Sequence, residues 1–232
     1  MVDFSSENSV KLDALPGVWR GKTPRLVSGN EIISTEFSEL DEVLPGGGWP
    51  LGCLTEILSR RSGSGELTLM LPAIAQLSRQ NRWVSWIAPP HIPYAPALAA
   101  AGIRLSRMLV IRPRRAPDLL WSAEQALRHG NRSAVLIWLE TCNVRSLRRL
   151  QLAATEGGSL GVIFRSQHHA ATPSPAALRV MVDGNHGDDF AVDILKCRGG
   201  RPVSGLRLSD TTISGSVPGE QMRSGEHAFT NL

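Results

Sequence analysis

Residues 52–69 read GCLTEILSRRSGSGELTL, and no other stretch limits the possible folds of the chain as much. Leu54, Glu56, Ile57 and Leu58 suit a short, largely buried strand. Residues 59–65 form a glycine, serine and arginine loop, and Glu66, Leu67, Thr68, Leu69, Met70 and Leu71 open an apolar helical pattern. Strand, glycine loop and helix in that order are the setting of a phosphate-binding loop, GxxxxGK[ST]. Its chemistry needs a first glycine for the turn, a second for close backbone approach, a lysine for the outer phosphates and a hydroxyl for Mg²⁺. Gly65 fills the place of the second glycine, with Gly63 inside the loop, but Glu66 stands where lysine is needed and Leu67 where Ser or Thr is needed. The first-glycine place falls on Arg60, or on Ser59 in a loop one residue longer. A carboxylate repels phosphate and leucine holds no metal, so the layout has lost the chemistry.

The rest of the chain supplies a core for that stretch. With 232 residues, 42% of them hydrophobic, it matches one ordinary domain. The expected organisation is an arm over residues 1–30, partly disordered, a folded domain over 31–210 and a disordered tail over 211–232. The polar N-terminus and the lack of a long apolar run predict no signal peptide and no membrane span, and hence a cytoplasmic protein. Cys53, Cys142 and Cys197 are odd in number and far apart, which argues for reduced thiols and against a disulfide framework or a zinc site. The net charge of +4 is too mild to identify a nucleic-acid binder by itself.

Within the expected domain, Ser34 or Thr35 caps a short helix carrying Phe37, Leu40, Val43 and Leu44, and residues 45–48 (PGGG) turn the chain into the first central strand. A helix is predicted over 66–80, with Pro72 marking either a bend or a later start of regular helix. Trp83, Val84, Trp86 and Ile87 read as a second buried strand, residues 105–111 as a third and residues 134–139 (AVLIWL) as a fourth, with a helix from Tyr94 or Pro96 to Ala101 and another at 119–128 between them. Such alternation predicts an α/β fold with a mostly parallel central sheet flanked by helices. Residues 183–189 turn, and residues 190–196 and 203–208 close the domain as a C-terminal antiparallel hairpin.

Over residues 37–208 the chain resembles the RecA-like core, and more closely the ImuA family of translesion-synthesis accessory proteins, often grouped with the SulA cell-division inhibitors. The residues carrying the closer resemblance are 15–21 (LPGVWRG), 44–52 (LPGGGWPLG), 62–71 (SGSGELTLML), 83–102 (WVSWIAPPHIPYAPALAAAG), 123–128, 147–154 (LRRLQLAA), 174–179 (SPAALR) and 192–200 (VDILKCRGG). The resemblance implies that Pro90 stands where a recombinase has its catalytic glutamate. It places Trp138 and Leu139 where the acidic metal partner belongs, with Glu140 one or two residues late, and Ala97 at the place of an adenine-side tyrosine. The implied protein is not an enzyme and takes no cofactor or metal. It implies an adaptor of SOS-induced error-prone translesion synthesis, working with an ImuB-like Y-family partner and an alternative DNA polymerase III alpha subunit, and touching RecA. The alternative, of a different class, is a SulA-like inhibitor that binds FtsZ, the tubulin-like division protein, and blocks its polymerisation.

Some polar positions keep the recombinase pattern: Lys196 and Arg198 match a basic pair at the subunit interface, and Gln167 a polar sensor. Residues 168–175 (HHAATPSP) stand where a DNA-binding loop would be, and neighbouring histidines on an extended chain point to opposite faces, which argues against a metal. Arg145, Arg148 and Arg149 share one helix face opposite Leu147, Leu150 and Ala154. With Lys196 and Arg198 they are the candidates for contact with an anion, an acidic partner or, weakly, DNA phosphates. The competing reading is a solvated helix face and an outward-facing strand pair.

Overall fold

The computed structural model describes residues 31–60, 63, 65–183 and 189–209. The arm with its LPGVWRG lead-in, Arg61, most of the turn after Asp183 and the C-terminal tail lie outside the described residues.

The fold is α/β, built on an eight-stranded mixed sheet of mostly parallel strands flanked by helices. A two-residue strand β1 (Ile32–Ile33) pairs antiparallel with β2 (Trp49–Pro50), and α1 (Ser38–Val43) lies between them. The cap is more elaborate than a single Ser or Thr. Phe37 N–H donates to Thr35 Oγ1 at 3.1 Å, and Asp41 reaches back to accept from Thr35 N–H at 2.9 Å and Ser34 Oγ at 2.7 Å. These bonds use Ser34 and Thr35 to shape the entry, so the helix starts three residues beyond Thr35. Gly48 completes the PGGG turn because a Cβ there would sit 2.2 Å from the Ile33 carbonyl oxygen.

The central strand is β3 (Cys53–Ser59), buried along its whole length. It lies between β7 (Leu160–Ser166) and β8 (Leu178–Asp183), parallel to both. Beyond β7 come β6 (Ala134–Trp138), β4 (Val84–Ile87) and the edge strand β5 (Met108–Ile111), all parallel. On the other side β9 (Asp189–Cys197) and β10 (Val203–Ser209) add the antiparallel hairpin at the second edge. The apolar runs of β3, β4, β6 and β7 suit this position, since central parallel strands are covered on both faces.

One face packs on α2 (Leu71–Arg79) around Ile57, Ile74, Trp86 and Phe164. The other packs on α4 (Ala116–His129) and α5 (Val144–Gly157) around Leu54, Leu127, Ile137, Leu150 and Ile163. The start of β3 is tied to α5 by the Gln151 side chain, which accepts from Leu54 N–H at 3.0 Å, and by Thr155, which donates to the Gly52 carbonyl at 3.0 Å.

Several expected boundaries move. Regular helix begins at Leu71 with Pro72 in its first turn, where a missing N–H is harmless, and residues 68–70 form a 3₁₀ turn. Residues 105–107 are also a 3₁₀ turn, so β5 is shorter than expected. Trp83 is outside β4 and 47% exposed, beneath the Arg107 guanidinium. The short helix α3 is Ala95–Ala100, and β8 has no counterpart in the expected elements. No described helix is long and apolar enough to cross a membrane.

Candidate functional site

In a parallel sheet the loops after the strands gather at one rim, and here that rim carries the glycine loop, Pro90, Glu140 and residues 167–177. Gly63 and Gly65 take φ of 87° and 88°, a region that L side chains avoid, so the loop needs glycine at both places. Arg60 stays exposed, 3.7 Å from Asp183 at the end of β8.

Glu66 does not face solvent at the loop mouth. It is 94% buried by its 6% exposure, and its Oε1 accepts from Gly63 N–H at 2.6 Å. Its Oε2 is buried without a hydrogen-bond partner among the described residues. Leu67 packs against the apolar cluster under α2. Ser59, the last residue of β3, is buried.

Trp138 fills the end of β6 as the middle ring of a stack, with centroids 5.3 Å from Trp86 and 4.7 Å from Phe164. Offset aromatic stacks of this kind hold neighbouring strands together and leave apolar surface where a metal would need oxygen donors. Pro90, His91, Ala97 and Glu140 are exposed. Among the described residues no group of three His, Cys, Asp or Glu is placed to hold a metal ion.

The candidate cations do not converge on this loop. Lys196 is half-buried on β9 and donates to the Ser174 carbonyl at 2.8 Å. Burial lowers its pKa, helped by nearby Arg198 and Arg179 and opposed by Glu56. Arg198 is exposed, and its backbone N–H donates to the Ala177 carbonyl. Arg145, Arg148 and Arg149 are exposed on α5, while Leu147, Leu150 and Ala154 are buried. Arg149 pairs with Glu124 of α4, which also accepts from Arg128 at 3.2 Å.

A buried ionic cluster beneath residues 167–177 was absent from the sequence reading. Glu56, fully buried in β3, accepts from Arg165 Nη1 at 3.2 Å, Arg179 Nε at 2.7 Å and Ser174 Oγ at 2.9 Å. Arg179 donates onward to the carbonyls of His169 and Ala170 at 2.7 and 3.0 Å. Arg165 Nη2 lies 3.1 Å from His169 Nδ1, and His169 Nε2 lies 2.9 Å from the Glu140 carbonyl. Arginine can only donate and a carbonyl can only accept, so these bonds fit the neutral ring with its proton on Nε2. The signal was present in the sequence as a lone carboxylate in the apolar run CLTEILS, because a buried charge demands a partner. Pairing Glu56 with Arg165 and Arg179 requires the strand order.

The class so defined is an α/β protein whose glycine loop is engaged by its own carboxylate. The model of the family described as cell division inhibitor SulA matches residues 52–161. The chain is 37% identical over 114 residues to the cell division inhibitor SulA of Edwardsiella piscicida, covering 48% of this chain and 68% of that protein. Its counterparts in Photorhabdus laumondii and Klebsiella aerogenes are 32% and 33% identical over 111 and 106 residues, and the chain spans 63% of each. The chain belongs to the SulA family.

That finding overturns the translesion assignment, together with its ImuB-like partner, its alternative polymerase and its contact with RecA. The stretches that suggested ImuA divide into two groups. Residues 62–71, 83–102, 123–128 and 147–154 fall within the segment matched by SulA and therefore do not separate the two families. LPGVWRG, SPAALR, VDILKCRGG and all but the last residue of LPGGGWPLG lie beyond that segment, and LPGVWRG also lies outside the described residues.

Proposed function

We propose that the chain is a cell-division inhibitor that binds FtsZ and blocks its polymerisation without catalysing a reaction. The observation that carries this reading is the SulA match, which spans the central strand β3, the strands β4, β5 and β6, the first two residues of β7 and helices α2 to α5. The reading places its action in the cytoplasm with FtsZ and its synthesis under SOS control.

The absence of catalysis is inferred from side-chain chemistry. Glu66 turns onto the loop amide, Leu67 packs partly buried against the core, Trp138 is stacked between rings and Pro90 carries no acid. Phosphoryl transfer depends on positioned charge, and these positions supply none of the required kind. The finer reading of the fold as RecA-like draws support from the central place of β3 and from the helix that follows its glycine loop.

For the docking surface we favour the edge around β5. Trp83, Leu105, Leu109 and Val110 are exposed there, all within the matched segment. Leu109 and Val110 are consecutive on the edge strand and so point to opposite faces of the sheet, which puts apolar surface on both sides of an edge open to pairing. The arginines of α5 and the Lys196/Arg198 pair supply basic surface elsewhere.

The test is polymerisation of purified FtsZ with GTP, followed by light scattering while the chain is titrated. The expected result is loss of polymer near equimolar chain, abolished by Leu109→Asp in a variant with an unchanged circular dichroism spectrum. Unimpaired polymerisation at excess chain, with no binding in sedimentation, would overturn the reading. ATP hydrolysis by the purified chain, if lost in Glu66→Ala, would overturn the non-catalytic part alone.

A further inference from the structure

We propose that the β5 edge takes an acidic, extended segment of a protein partner as a further strand of the sheet, with arginines at both ends of the edge pairing with its carboxylates. This deepens the reading of that edge as the docking surface and rests on it. Among the described residues β5 pairs with β4 alone, so the backbone groups along its other side are open to another strand. The middle of the edge is apolar, with Leu109 47% and Val110 38% exposed. Its ends are basic: Arg104 and Arg107 precede the strand, Arg112 and Arg114 follow it, and none of the four makes an ion pair among the described residues. The Arg107 guanidinium lies 5.3 Å from the centroid of the Trp83 ring, which holds one positive charge beside the edge.

The charge is segregated along the chain as well. No Asp or Glu occurs between Glu66 and Asp118, and Asp118 is already taken by Arg115 at 2.8 Å. The edge therefore offers positive charge without counter-ions of its own, and an acidic partner supplies them. The four residues of β5 set roughly 13 Å between the two arginine groups, the length of a short strand with carboxylates at its ends. A second copy of the chain is a poor occupant. Antiparallel pairing centred on Leu109 and Val110 would set Arg107 against Arg112 of the other copy, and like charges directly opposite destabilise a strand pair. Nucleic acid would use the arginines and gain nothing from the apolar middle or the open backbone.

The full chain, labelled with ¹⁵N, is titrated with a peptide of alternating Glu and Val, with one of alternating Lys and Val, and with a DNA duplex. The acidic peptide is expected to move the β5 amide resonances saturably, and more weakly as salt rises from about 50 to about 300 mM, because exposed charges are screened. Arg112→Glu with Arg114→Glu is expected to weaken that binding about tenfold, while Arg145→Glu with Arg148→Glu on α5 leaves it unchanged. The wild-type comparison of the two peptides needs no variant and decides the matter if the double variant does not fold. No β5 response to the acidic peptide would overturn the proposal and leave the arginines as guards that keep copies apart. Equal affinity for both peptides, tighter binding of DNA at the same amides, or β5 shifts that follow chain concentration without any peptide would overturn it too. Sedimentation with FtsZ separates this proposal from the function it rests on: an acidic peptide that binds β5 while FtsZ does not bind at all would count against the FtsZ reading alone.

Discussion

Glu56 carries the largest single-residue consequence. Two guanidiniums, each about as buried as the core around them, share its carboxylate, so Glu56→Ala leaves both uncompensated. Breaking a buried pair from one side costs about 3–5 kcal/mol, and urea denaturation should show a loss of that size. Replacing Glu56, Arg165 and Arg179 together with Leu, Met and Met should recover much of it, because the desolvation cost of all three charges disappears. Lys196 gives a pH test. Burial lowers its pKa below the ordinary value of 10.5, so the unfolded chain holds this proton more tightly. Stability of the wild type relative to Lys196→Met should therefore increase as pH rises from the lowered value toward 10.5, then level off, and be lost again as pH falls. Paired denaturation curves across that window check the sign.

At the scale of elements, α4 and α5 test how closely two helices on one face can approach. A Cβ on Gly157 would lie 2.0 Å from the Leu127 carbonyl oxygen, so no side chain fits without parting the helices. Gly157→Ala should cost about 1–3 kcal/mol or more through overpacking, read as a fall in melting temperature. At the other end of α5, Asn143 accepts from Ser146 N–H at 2.8 Å as the helix cap. Asn143→Ala should cost about 1 kcal/mol, a milder loss measurable by the same scan. Of the two readings of Pro72, the later helix start is the one found, because proline fits the first turn and breaks the interior. Strand β8 was missed for a related reason. Its alternation LRVMVD follows a proline-rich loop, and only pairing with β3 and β9 on either side makes it an inner strand.

The whole molecule depends on the hairpin as well as on the parallel core. β9 covers β8, and β10 packs near α1, so deletion of residues 189–232 would bare Val180 and Val182 along an open edge. Open apolar edges recruit other chains, and the truncated protein should elute as aggregate in size-exclusion chromatography, where the full chain does not. The aromatic stack of Trp86, Trp138 and Phe164 joins three parallel strands in the same sheet, so the core is continuous from β4 to β7.

The alternation of apolar runs and glycine turns in the sequence was enough to specify an α/β protein with a mostly parallel sheet and a late hairpin. Those features follow from local patterns: burial of a strand and periodicity of a helix. Where charges meet depended on strand order, which brings Arg165 and Arg179 to Glu56 from positions more than a hundred residues away. The backbone path also decided that Glu66 is buried with one oxygen on the Gly63 amide, because a buried carboxylate needs a donor and the fold presents one there.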